Sequence, residues 1–216
     1  MYYSQAIDWT ILMALSTISS KQVKAKKTTL KYVNQVLDYL ATNPDMTIIF
    51  HASDMILNIH SDAYNLSDNS VKSCASGHLF LGSVSKYEIL ITLNSAIFTL
   101  CNILKFVASS AAEAELVALL MNVKEVRTIW LTLEELSHPQ PPTPIHCENA
   151  NVAGIANGTI KKQHSRSMEM WYCNVCDQVK HKQFDMKFHL GQENLGYYTS
   201  KHNLVRHHMQ VRPIYL

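Results

Sequence analysis

Glycine and proline are scarce, six of each in 216 residues, and the glycines are scattered. That excludes a collagen-like or linker composition, and with it a glycine-rich loop of the kind that cradles phosphates. No Gly-x-Ser-x-Gly elbow occurs, so Ser/His/Asp hydrolysis has no support. No apolar run approaches the ~20 residues that span a bilayer. The N-terminus lacks a charged-then-apolar leader, because Asp8 precedes only a short apolar run at 11–15. The expectation is a cytoplasmic or nuclear chain, not secreted and with no membrane partner. Five cysteines, an odd number, then read as reduced thiols. Charge of one sign is also missing: 19 Lys+Arg against 17 Asp+Glu leave a net +2, too balanced to imply a nucleic-acid partner by itself.

Hydrophobic residues make up 47% of the chain and charged residues 17%, enough to bury a core. Eleven histidines are a high count with metals in view. The first 50 residues read as helical, with Leu30, Val33, Leu37 and Leu40 spaced as one buried face and Asn43-Pro44 as the stop. Just before that helix, Lys21, Lys24, Lys26, Lys27 and Lys31 form the densest basic run. A solvated face is its plain reading, and contact with a nucleic-acid backbone is the alternative.

From Met46 the pattern changes to β-like runs at 47–50, 55–61, 74–82 and 96–107, with a turn-prone cluster at 66–70. A long helix over 111–136 opens on the capping box Ser110-Ala111-Ala112-Glu113 and ends at a proline-rich stretch. A strand at 143–147, helices at 150–156 and 165–182 and a strand at 183–189 follow. Three strands, a helix, a strand, two helices and a strand make a mixed β-sheet flanked by helices, an α/β class. Residues beyond His202, with Arg206, His207, His208 and Arg212, read as a mobile, solvated basic tail.

Three acids fall where strands end or a helix begins. Asp62 closes the run 56–61, Glu115 lies in the first turns of the long helix, and Glu148 follows Ile145-His146-Cys147. Carboxylates converging at a sheet edge suit two magnesium ions ~4 Å apart, the arrangement that activates water in phosphodiester cleavage. Cys173-Asn174-Val175-Cys176 with His189 supplies three ligands of a Cys2His2 pattern. His202 is too far along to be the fourth, so thiols on a helix face are the expectation.

The string Ser109-Ser110-Ala111-Ala112-Glu113-Ala114-Glu115 resembles a motif of ribonuclease H domains in copia-type LTR retrotransposon polyproteins. His60-Ser61-Asp62-Ala63, Cys147-Glu148-Asn149, the Leu133-Glu134-Glu135 to Ile145 linker and Asn194-Leu195-Gly196-Tyr197-Tyr198-Thr199-Ser200-Lys201-His202 are similar to further motifs of that family, in the same order. The opening 50 residues resemble the end of the preceding reverse transcriptase, whose Tyr-x-Asp-Asp pair is absent. The resemblance implies a helical reverse-transcriptase remnant at 1–46, a ribonuclease-H-like domain at 47–202 and the basic tail at 203–216. It implies a magnesium-dependent endonuclease of the RNA strand of RNA–DNA hybrids, working within a larger polyprotein. Its acids map onto Asp62, Glu115, Glu148 and position 197; the candidate phosphate contacts, Lys24, Lys26 and Lys27, come from the alternative reading of the basic run.

Two of those positions depart from the family. Glu148 stands for an Asp and moves its carboxylate by ~1.5 Å. Tyr197 stands for the fourth Asp and offers no carboxylate, leaving Glu193 as the nearby substitute. The site therefore reads as impaired, and a noncatalytic nucleic-acid-binding remnant is the alternative. Gly196, where the family has Ala, is expected to loosen the last helix by ~1 kcal/mol.

Overall fold

A computed structural model describes residues 2–65, 72–83, 94–160, 166–191 and 194–215. Alternation of side chains along the first strand sets the architecture. In β1 (Ile56–Tyr64), Leu57 and Ile59 are fully buried in the main core, and the alternating Asn58, His60 and Asp62 turn to the opposite face. β2 (Cys74–Gly82) runs antiparallel to β1 with Asp62 opposite Ser76, and β3 (Ala96–Ile103) runs antiparallel to β2. β4 (Thr143–Cys147) lies parallel to β1, pairing His146 with His60, and β5 (Phe184–Phe188) lies parallel to β4. The order is β3-β2-β1-β4-β5, a mixed five-stranded sheet flanked by helices. That is the α/β architecture expected.

Helix α4 (Ala111–Glu135) covers the core face, packing Leu116, Leu119, Val123 and Val126 against Leu57, Ile59 and Ile145. Its fully buried Asn122 donates to Ser61 Oγ at 3.0 Å and to the Ser76 carbonyl at 2.9 Å, bolting helix to sheet. Gly77 makes room for it: a Cβ there would lie 1.8 Å from Asn122 Oδ1. Helices α5 (Ala150–Ala156) and α6 (Arg166–Lys180) complete that layer. On the other face, the short helix α7 (Gly196–Ser200) rests on β1 and β2.

The N-terminal segment forms α1 (Tyr2–Ala6), a 3-10 turn Trp9–Ile11, α2 (Leu12–Ser20), a second such turn Gln22–Lys24 and α3 (Lys27–Thr42). Leu12 and Met13 of α2 are buried with Cys74 and Cys101, so this segment docks on the β2–β3 end of the sheet. Among the described residues no helix is long and apolar enough to cross a membrane.

Several expectations fail here for identifiable reasons. The α3 stripe is not buried: Leu30 is 62% and Leu37 57% exposed. The helix instead turns Tyr32, Val36 and Tyr39 towards α2 and the C-terminal helix, and Tyr39 Oη accepts from Arg212 Nε at 3.0 Å. Residues 47–50 form no strand. The Ile49 carbonyl is taken by Ser95 Oγ at 2.7 Å, and the His51 N–H goes to Asn94 Oδ1 at 3.0 Å, so side chains replace a ladder. The basic tail is the helix α8 (Val205–Tyr215), tied down by a short Tyr198 Oη–His208 Nδ1 hydrogen bond and by Val211 and Ile214 packing on Leu195 and Tyr198. The turn-prone cluster at 66–70 lies outside the described residues.

Candidate metal centre

The parallel pairing of His60 with His146 decides the site, because two residues further along each strand come Asp62 and Glu148 on the same face. Glu115 reaches them from the start of α4, its Oε1 accepting the Ala63 N–H at 3.2 Å. One ligand oxygen from each of Asp62, Glu115 and Glu148 lies within 4.8 Å of the others. The helix start is held by Ser110 Oγ, which accepts the Glu113 N–H at 3.1 Å. The return bond of the capping box goes one residue earlier than expected, Glu113 Oε2 accepting from the Ser109 N–H at 2.6 Å and from its hydroxyl. Glu113 is thereby committed to the cap, which leaves Glu115 as the acid that faces the sheet.

Asp62 is 1% and Glu115 6% exposed, and among the described residues Asp62 Oδ1 and Glu115 Oε2 have no hydrogen-bond partner. Buried carboxylate oxygens without donors are costly unless something positive meets them. A divalent cation fits: three hard oxygen ligands, converging, are the donor set magnesium takes. Burial, Asp62 and Glu148 push the Glu115 carboxyl up to about 9 against the bond from Ala63. A hydrogen bond with Asp62, then burial, push Glu148 up to about 8, with Lys201 drawing it back. Near neutral pH the ion-free cluster therefore keeps protons that a bound cation must displace.

This has a consequence for stability. Above the ordinary carboxyl value of 4.5 the unfolded chain releases protons that the folded chain holds, so folding loses stability as pH rises towards about 9. Burial holds His78 and His146 at about 4 and His60 well below its ordinary value, which acts in the opposite sense only below 6.5. The ion-free protein is expected to melt at progressively lower temperature from pH 6.5 to 9 in EDTA. Glu115→Gln should flatten that slope, and a slope equal in both proteins would contradict the account.

The far side of the cluster is built from residues that drew no role from the sequence. Asn194 donates to the Ser61 carbonyl at 2.9 Å and accepts the Gly196 N–H at 2.9 Å. The Leu195 N–H bonds His60 Nδ1 at 2.9 Å, so a neutral His60 carries its proton on Nε2. Ser76 Oγ donates to the Gly196 carbonyl and meets Thr199 Oγ1 at 2.7 Å. Gly191 leaves a notch for the longer side chain of Glu148, since a Cβ there would sit 1.9 Å from Glu148 Oε2. These contacts run between strand and loop residues far apart in sequence. Membership of a resembling string could have marked Asn194, Leu195 and Gly196, and nothing in the sequence marks Ser76 or Gly191.

Tyr197 stands in the first turn of α7 with the Lys201 ammonium 3.1 Å from its ring centroid. Glu193 lies outside the described residues. Lys24, Lys26 and Lys27 are exposed at the start of α3. Cys173 is exposed on α6, and Cys176 Sγ meets the Ile155 carbonyl at 3.5 Å. Among the described residues, the three carboxylates are the group of His, Cys, Asp and Glu side chains positioned to share an ion.

No protein-family model matches the chain, and no curated protein matches it. Among the solved structures similar to it are ribonuclease H domains. One is the LC11 ribonuclease H1 in complex with an RNA/DNA hybrid, with TM-score 0.47 and 8% identity over 64% of this chain and 88% of that one. Another is the N-terminal ribonuclease H domain of a Mycobacterium tuberculosis protein fused to maltose-binding protein, with TM-score 0.43 and 11% identity over 65% and 86%. LC11 ribonuclease H1 isolated from compost by a metagenomic approach gives TM-score 0.39 and 8% identity over 65% and 88%.

Proposed function

We propose that this chain is a retrotransposon-derived, ribonuclease-H-like protein whose magnesium site addresses the RNA strand of RNA–DNA hybrids at a much reduced rate. The observation that carries the reading is the convergence of Asp62, Glu115 and Glu148, with two buried oxygens that find no donor among the described residues. Support for the copia-type origin is the ordered set of motifs along the chain. Magnesium, when bound, supplies Lewis-acid activation of water and neutralises charge at the phosphodiester. Asp62, fixed in the centre of the sheet, is the ligand with least freedom, and Glu115 is oriented by the Ala63 N–H. Glu148 reaches into the Gly191 notch and shares a hydrogen bond with Asp62. Phosphate contacts from Lys24, Lys26 and Lys27 would add salt-dependent affinity. The uncovered Leu30 and Leu37 on α3 suit contact with the remainder of a polyprotein.

Tyr197 favours a second reading, a noncatalytic remnant that binds nucleic acid, because the fourth position presents an aromatic ring and a lysine rather than an acid. A magnesium-dependent cleavage assay on a hybrid labelled in the RNA strand separates the two. The nuclease reading expects slow cleavage, near background, that disappears in EDTA and in Asp62→Asn. Hybrid binding without any Asp62-dependent cleavage, even at long incubation, would leave the remnant reading.

A further inference from the structure

We infer that Lys201 supplies the second positive charge of this site, so that the three carboxylates hold one divalent cation instead of two and the lysine meets substrate phosphate directly. The inference rests on the reading of the acid cluster as a cation site and goes on to its stoichiometry and its contact with substrate. Three features place the ammonium. It stands 3.1 Å from the Tyr197 ring centroid and 5.2 Å from that of Tyr64 on β1, between two aromatic faces that each attract a cation. It lies within Coulombic reach of Glu148, whose pKa it lowers. The helix it follows, α7, is held to the sheet by the bonds of Asn194, Leu195 and Ser76 already described.

The charge balance follows from these positions. A second divalent ion needs carboxylate oxygens beyond those that hold the first, and position 197 provides none. An ammonium within Coulombic reach of Glu148 also repels a second cation. Lys201 is only partly buried, so an anionic backbone can reach it. A compact cation with three donors suits a phosphate oxygen.

Two measurements on the full chain test this. Calorimetric titration with Mn²⁺ should give one ion per chain, and Glu148→Asp combined with Tyr197→Asp should raise it to two. Two ions on the unaltered chain would overturn the inference and leave the cation site standing. No ion at all would overturn the reading of the cluster itself. Binding of a fluorescent RNA–DNA hybrid in EDTA, followed across salt concentration, addresses the phosphate contact without metal or turnover. Lys201→Met should lower the slope of log affinity against log salt by about one, and Lys201→Arg should keep it. Tyr197→Leu, which removes the ring but no charge, should resemble Lys201→Met. An unchanged slope in Lys201→Met would overturn the contact.

Discussion

Replacing Glu148 with Asp and Tyr197 with Asp together is expected to raise magnesium-dependent cleavage of the RNA strand by ~10²-fold or more over the unaltered chain. Loss of one charge-stabilising group in an active site commonly costs ~10²–10³ in rate, and this site departs at two positions from the acids of the domains it resembles. Glu148→Asp draws the carboxylate back by ~1.5 Å, out of the notch at Gly191. Tyr197→Asp removes the ring beneath Lys201 and puts an acid on the first turn of α7, next to the β1 backbone that carries Asp62. Each single change should recover less than the pair, because ligands of one site act together. Asp62→Asn in the restored background should abolish what returns. No recovery in a folded double variant would show that the defect extends beyond these carboxylates. Fast cleavage by the unaltered chain would show that the site is not impaired.

Gly196→Ala is expected to lower stability by ~1–3 kcal/mol, the usual range for forcing a methyl into a packed site. Helix propensity taken alone argues the reverse, since Ala is better than Gly by ~1 kcal/mol inside a helix. The packing decides it. A Cβ on Gly196 would lie 2.8 Å from the His60 carbonyl oxygen, 3.1 Å from Asn194 Oδ1 and 3.2 Å from the Asp62 N–H nitrogen, and two of these are backbone atoms that cannot swing away. Helix α7 has five residues and Gly196 is its first, where little helical hydrogen bonding is at stake. Relief of the clash must move α7 off β1 or shift β1 at Asp62. Thermal unfolding in EDTA should therefore drop by ~2–4 °C for each kcal/mol lost, with Mn²⁺ affinity weakened in step. A melting temperature equal to or above that of the unaltered chain would contradict this packing.

The strands and helices legible in the sequence were those whose side chains report their burial locally. β2, β4 and α5 span the residues expected of them, and Asn149 caps α5 by accepting from the Asn151 and Val152 N–H groups. The α3 stripe misled because periodicity shows that a face is apolar and says nothing of what covers it, and here Leu30 and Leu37 stay in solvent. Helix α8 was hidden because its histidines and arginines read as solvated charge, whereas Tyr198 and Tyr39 take up His208 and Arg212 across the fold. Within the site, the acids were legible as residues at element ends. Their partners were not: Asn194 bonds a carbonyl 133 residues away, and Lys201 finds the ring of Tyr64 at the end of β1. The same holds for Gly196, which the sequence presents as a loosened helix and the structure shows as a close contact with β1.

The central claim is that Asp62, Glu115 and Glu148 together hold a divalent cation. Calorimetric titration of Mn²⁺ into the metal-free chain and into Asp62→Asn, at a pH of about 8 where the cluster gives up its protons more readily, tests it most directly. The account predicts saturable binding by the unaltered chain and its loss in Asp62→Asn with the fold intact by circular dichroism. Equal Mn²⁺ binding by both proteins would place the ion elsewhere and contradict it.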